Sequence, residues 1–183
     1  MAHQMQIDDQ GWLVGGRRLP SPNFDTRPVG SIDLLVIHNI SLPPEQFGGD
    51  DVLRLFSNTL DVDAHPYYQK IAGLKVSAHF LIRRDGELVQ LVSCLQRAWH
   101  AGVSCWQGRV RCNDFSIGVE LEGSDNVPFT PEQYATLHEL TLALRAAYPL
   151  QGIAGHRDIS PQRKTDPGPY FDWMRYLKAL HAV

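Results

Sequence analysis

The run IDLLVIH, Ile32 to His38, decides the fold. It is apolar almost throughout and ends in a histidine. Such a run reads as a strand buried on both faces, so its sheet needs cover on each side. The stretch SLPPEQFGGD follows as loop, and DDVLRLFSNTL (50–60) as a short helix. Ser77 to Val92 reads as two strands joined around Asp85–Gly86, a strong hairpin signal. DFSIGVELEG (114–123) is a further strand with strict alternation. Phe115, Ile117, Val119 and Leu121 point one way, and Ser116, Gly118, Glu120 and Glu122 the other.

Thr130 is placed to cap a helix, with Pro131 at its first position and Gln133 three residues after the cap. Tyr134, Leu137, Leu140, Leu144 and Ala147 give that helix one apolar face. YFDWMRYLKAL (170–180) reads as the last helix, and Trp99 to Asn113 as a long loop. The pattern predicts an α/β fold: a single domain with a mixed central β-sheet covered by α-helices. Residues 1–30, rich in Pro and Gly toward their end, are expected to be a surface segment packed on a domain of residues 31–183.

The bulk numbers bound the function. The chain has 183 residues, enough for one substantial core but cramped for two. Its net charge is −3 and it has no long run of like charge, so neither nucleic acid nor a membrane surface is expected as a partner. The pairs Arg17–Arg18 and Arg83–Arg84 are read as solvated. No apolar stretch approaches the ~18 residues of a membrane span. The start, MAHQMQIDDQGW, lacks a basic end followed by an apolar run, so no secretory signal is expected. Cys94, Cys105 and Cys112 are odd in number and show no CxxC spacing. They read as reduced thiols in a cytoplasmic protein.

Chemistry concentrates in GHRDISPQRKTDPGPYF (155–171), where a loop-forming composition holds His156, Lys164 and Asp166. His and Asp are ordinary zinc ligands, and a catalytic zinc takes three protein ligands and a water. His38 is the best third ligand, because a buried strand ends where a site opens. Glu120 lies on the strand face of Ser116 and Gly118, whose small side chains leave space for a substrate. A carboxylate there could take a proton from zinc-bound water and pass it to a leaving nitrogen. Lys164 could stabilise the oxyanion. Blander readings compete: a core histidine for His38, the wet face of an edge strand for Glu120 and Glu122, a surface ion pair for Lys164 and Asp166.

LLVIHNISLPP, SAHFLIRRDGE, AWHAGVS, CNDFSIGVELEG and GHRDISPQRKTDPG together resemble the AmpD-type N-acetylmuramoyl-L-alanine amidases. That group is akin to phage T7-lysozyme-like amidases and peptidoglycan recognition proteins. The resemblance runs from about Gly11 to Trp173 and carries the same five residues. It implies one Zn2+ held by His38, His156 and Asp166, a proton acceptor at Glu120 and a transition-state stabiliser at Lys164. Some relatives use a cysteine as third ligand; Asp166 stands at that position here. The implied substrate is a small muropeptide from cell-wall turnover, cut between the lactyl group of anhydro-N-acetylmuramic acid and L-alanine. In bacteria with an inducible β-lactamase, such enzymes remove the inducing muropeptides.

Asn39, Tyr67, Lys75, Trp99 and Arg111 are candidate contacts to sugar or peptide, by residue type and motif position. His79 and His100 are read as structural, His65 as fixing a loop before Pro66, and His3, His138 and His181 as solvated. A monomer is expected. Three other functions compete: a non-catalytic peptidoglycan-binding module, an amidase acting on intact cell wall, and a structural zinc protein with His79 as fourth ligand.

Overall fold

The computed structural model describes residues 4–28 and 30–181; the expectation for His3 lies outside them. Among the described residues the strands are β1 (Arg17–Arg18), β2 (Phe24–Thr26), β3 (Leu34–Ile40), β4 (Phe80–Ile82), β5 (Leu88–Gln90), β6 (Gln96–Ala98), β7 (Cys105–Trp106), β8 (Arg109–Val110), β9 (Ser116–Glu122) and β10 (Gly152–Gly155). The helices are α1 (Asp51–Phe56), α2 (Pro66–Lys70), α3 (Pro131–Ala147), α4 (His156–Ile159) and α5 (Trp173–His181). No helix among them is long and apolar enough to cross a membrane.

Six strands form one mixed sheet in the order β1-β5-β4-β9-β3-β10. β4, β9, β3 and β10 are mutually parallel neighbours, whereas β5 runs antiparallel to β4. The hairpin turns at Gly86, whose φ of +86° suits glycine. The expected burial of the 32–38 run holds: Leu34, Leu35, Val36 and Ile37 are each 0% exposed. Alternation along β3 sends Leu35 and Ile37 to one face and Leu34, Val36 and His38 to the other.

The first face is closed by α3 and α5. Ile37, Ile117, Val119 and Leu121 of the sheet meet Leu137, Leu140, Leu144, Tyr176 and Leu180 of the helices. The capping box predicted from Thr130 and Gln133 starts α3. Its buried stripe departs from expectation at the far end. Ala147 is exposed, while Gln133 and Thr141 are buried. Each has partners that permit this: Gln133 donates to the Ile82 and Glu122 carbonyls, and Thr141 bonds Tyr176.

The second face carries two separate apolar clusters. One joins α1 and α2 to Leu81, Val89 and Leu91; the other joins Leu34 and Val36 to Cys112, Ala154 and Ile159. Phe115 belongs to this second cluster, not to the α3 face, because it lies one residue before β9 begins. Between the clusters lie His38 and Glu120.

The N-terminal segment is more than loop. β1 extends the sheet beside β5, and β2 pairs with β6. The Arg27 guanidinium donates to the carbonyls of Asn113, Asp114, Cys94, Gln96 and Ser116, tying this segment to two distant stretches of chain. The Arg83–Arg84 pair is likewise engaged, Arg83 with Asp50 and Glu87 and Arg84 with Gln133 and the Pro128 carbonyl. The 99–113 loop contains the β7–β8 ribbon. His65 caps α2 by accepting the Tyr67 N–H, and His138 reaches the Ala179 carbonyl of α5.

Candidate active site

The sheet itself assembles the site. β3 and β9 are in register so that His38 lies beside Glu120, and Glu120 in turn lies beside Leu81 of β4. β10 pairs with β3 so that Gly155 faces Ile37, which brings the next residue, His156, alongside His38. The chain then turns through α4 and returns Asp166. His38, Glu120 and His156 sit toward or just past the carboxyl ends of parallel strands, where open α/β sheets place their ligand crevices.

Three atoms converge. His38 Nδ1 is 3.0 Å from His156 Nδ1, and Asp166 Oδ2 is 3.0 Å from the first and 3.1 Å from the second. The outward nitrogens are engaged elsewhere: His156 Nε2 donates to the Ala101 carbonyl at 3.1 Å, and His38 Nε2 meets His100 Nδ1 at 2.9 Å. A proton on His156 Nε2 leaves a lone pair on its Nδ1, directed at Asp166 Oδ2, a second acceptor. Two acceptors 3.1 Å apart repel unless a proton or a cation lies between them. Zinc bonds of about 2.0–2.1 Å with tetrahedral angles need ligand atoms about 3.3 Å apart, so the observed spacing suits a metal ion within a few tenths of an ångström. Burial holds His38 low, at about 4, against the opposing pull of Asp166, which keeps the ring neutral and able to ligate.

These residues floor a cleft of about 360 Å³, into which Glu120 and Lys164 also face. Glu120 is 8% exposed, and its Oε2 is buried with no hydrogen-bond partner among the described residues. Burial first, then the nearby Asp166, pushes its carboxyl well above the usual range, and Lys164 opposes them. Its neighbour two residues on behaves differently: Glu122 accepts the backbone N–H groups of Gly48 and Arg84. β9 is a central strand, so neither carboxylate is the wet face of an edge. Asp166 pairs with the two histidines and not with Lys164.

The remaining candidates separate. Tyr67, Trp99 and Asn39 line the cleft. Both amide hydrogens of Asn39 are committed, to Asp125 and to the Pro167 carbonyl. Lys75 is exposed in a neighbouring hollow beside Leu60 and Val62. Arg111 is exposed outside the cleft and ion-pairs with Asp114. His79 is structural, as expected: its Nδ1 accepts the Gly118 N–H and its Nε2 donates to the Gln96 carbonyl. Neither nitrogen is free to join the cluster of His38, His156 and Asp166.

Two features escaped the sequence reading. The space over Gly118 holds no substrate: the His100 ring fills it, and a Cβ at residue 118 would lie 2.4 Å from His100 Cγ. Asn113 Oδ1 accepts the N–H groups of His100 and Ala101, clamping the segment that touches both His38 and His156. The motif AWHAG and the small residues of β9 were the available signals.

Residues 27–169 match the family described as N-acetylmuramoyl-L-alanine amidase. This chain belongs to that family. Among N-acetylmuramoyl-L-alanine amidases it is 58% identical, over 171 residues, to the 1,6-anhydro-N-acetylmuramyl-L-alanine amidase AmpD of Escherichia coli K12, covering 92% of this chain and 93% of that one. A crystal structure of a selenomethionine AmpD derivative superposes with a TM-score of 0.91 at 56% identity, covering 94% of this chain and 98% of that one. A more distant amidase, AmiD of E. coli, superposes at 0.59 with 29% identity, covering 96% of this chain and 65% of that one. It was solved with anhydro-N-acetylmuramic acid-L-Ala-D-gamma-Glu-L-Lys, named there as its substrate.

Proposed function

We propose that this amidase hydrolyses the amide between the lactyl group of 1,6-anhydro-N-acetylmuramic acid and L-alanine in soluble muropeptides, acting as a cytoplasmic monomer with one zinc ion. The observation that carries this reading is the meeting of three potential metal-ligating atoms with an ammonium and a buried carboxylate, one of whose oxygens has no partner among the described residues, in one cleft. The match to AmpD over nearly the full chain supports the anhydro substrate.

His38, His156 and Asp166 would hold the Zn2+, which when bound supplies Lewis acidity and an acidified water. Glu120 takes one proton from the attacking water as the water oxygen bonds to the lactyl carbonyl carbon. Burial raises its proton affinity, which favours taking that proton. Lys164 faces the same space and stabilises the negative oxygen that forms. Glu120 then delivers its proton to the alanine nitrogen as the C–N bond breaks, giving a free lactyl carboxylate and a free peptide amine. Trp99 and Tyr67 in the cleft wall offer apolar faces to the sugar, and Asn39 offers its remaining amide oxygen. Lys75 and Arg111 would have to reach longer stem peptides from outside the cleft.

Mass spectrometry of products from anhydromuramoyl-tripeptide and from intact sacculi, each with and without chelator, tests this. Chelator-sensitive peptide release from the small substrate with little from sacculi is expected. Equal release from sacculi would assign the enzyme to the cell wall instead, and no release from either would leave a binding module.

A further inference from the structure

We infer that His100 is a positioning residue that fixes which nitrogen of His38 faces the metal, through a hydrogen-bond relay ending on a backbone carbonyl. The inference rests on the zinc reading above and concerns how this chain prepares its ligands.

The direction of the relay follows from its far end. Ser116 Oγ lies 2.6 Å from the Cys112 carbonyl oxygen. A carbonyl can only accept, so the serine hydroxyl hydrogen is spent there. Ser116 Oγ also lies 3.2 Å from His100 Nε2. With its hydrogen committed the serine can only accept, so His100 Nε2 carries the proton. In a neutral ring His100 Nδ1 then has a lone pair. That atom is 2.9 Å from His38 Nε2, which must therefore donate. The proton on His38 is thus held at Nε2, and Nδ1 is left bare toward His156 and Asp166. The neighbouring residue does the same for the second histidine, because the Ala101 carbonyl accepts from His156 Nε2.

The ring is held in place on its other sides. It lies across Gly118, where any side chain would collide with it. Asn113 grips the backbone at 100 and 101. His100 is 8% exposed, so water does not replace the relay cheaply. Removing a partner of this kind typically costs about 10–100-fold in metal affinity.

The test is zinc affinity by chelator competition on the full chain, for wild type, His100→Leu, His100→Asn and Ser116→Ala, alongside 15N NMR of the histidine rings in the zinc-loaded protein. Leucine keeps bulk and removes the acceptor; asparagine keeps an acceptor where Nδ1 stood. His100→Leu should bind zinc about 10–100-fold more weakly, His100→Asn should recover most of that loss, and Ser116→Ala should fall between. The NMR should show His38 protonated at Nε2 and metallated at Nδ1. A purely structural role would lower the melting temperature of zinc-free protein while leaving zinc affinity unchanged. That result, metallation of His38 through Nε2, or an asparagine variant as weak as the leucine one would overturn the inference. Should His100→Leu fail to fold, Ser116→Ala and the NMR decide. A wild-type chain that holds no zinc would overturn the metal reading itself.

Discussion

The two faces of the central sheet are made by the same strands and differ in kind. From β3 and β9, one face receives Leu35, Ile37, Ile117, Val119 and Leu121, packed against α3 and α5. The other receives His38, Ser116, Gly118, Glu120 and Glu122, all buried or, for Gly118, covered by a ring. On the helical face stability comes from apolar area and close packing. On the other, each polar group is fixed by a named partner, except at the point of chemistry. There the Nδ1 atoms of His38 and His156 meet Asp166 Oδ2, and Glu120 Oε2 is buried with no partner among the described residues. The apolar face contributes the stability against which that crowding of polar atoms is held.

If the faces divide labour in this way, mutations should separate activity from stability. The largest effect belongs to the polar face. Glu120→Ala should keep zinc and lose about 10²–10⁴-fold in turnover, and Asp166→Ala should lose zinc, read by metal analysis beside the same kinetic assay. Near-normal turnover in Glu120→Ala would remove it as the base. On the helical face, Leu137→Ala should cost about 2–5 kcal/mol of stability in denaturant unfolding, with turnover per folded molecule unchanged. Gly118→Ala tests the boundary between them. Its methyl group must displace His100, so about 1–3 kcal/mol of strain should come with weaker zinc binding; strain without weaker binding would uncouple the two.

The smallest effect is a pH slope. Burial, then Arg27, lowers His79 to about 3 from an ordinary 6.5. The folded protein therefore resists protonation that the unfolded chain accepts. The stability this neutral ring supports is complete above pH 6.5 and is lost as pH falls toward 3. One such group gives about 1.4 kcal/mol per pH unit. His79→Asn should start less stable and show a shallower acid slope in melts of zinc-free protein.

Much of this was legible in the sequence because its causes are local. An unbroken apolar run, a two-residue alternation and a capping box each declare themselves within a dozen residues, and β3, β9 and α3 followed. His38, Glu120, His156, Lys164 and Asp166 were legible from residue type at strand ends and in a Pro- and Gly-rich loop, and they do share one cleft. What stayed hidden depends on partners far along the chain. Arg27 has no carboxylate ion pair among the described residues; it binds carbonyls up to 89 positions away. Small residues at 116 and 118 announced a space, but not that His100 fills it. Ala147 fitted the helical stripe, yet it is exposed in the last turn of α3. Lys75 and Arg111 were chosen by charge, which says nothing about where a loop carries them.

The borders of the sheet have a consequence for life in a crowded solution. One border is β1, two residues long and made of two exposed arginines. The other is β10, against whose Gly152 the side chain of Trp106 lies. A foreign strand seeking unpaired backbone would find at the first only a short stub flanked by guanidinium groups that resist dehydration, and at the second only four residues. The borders thus guard against the edge-to-edge growth that turns soluble sheets into aggregates.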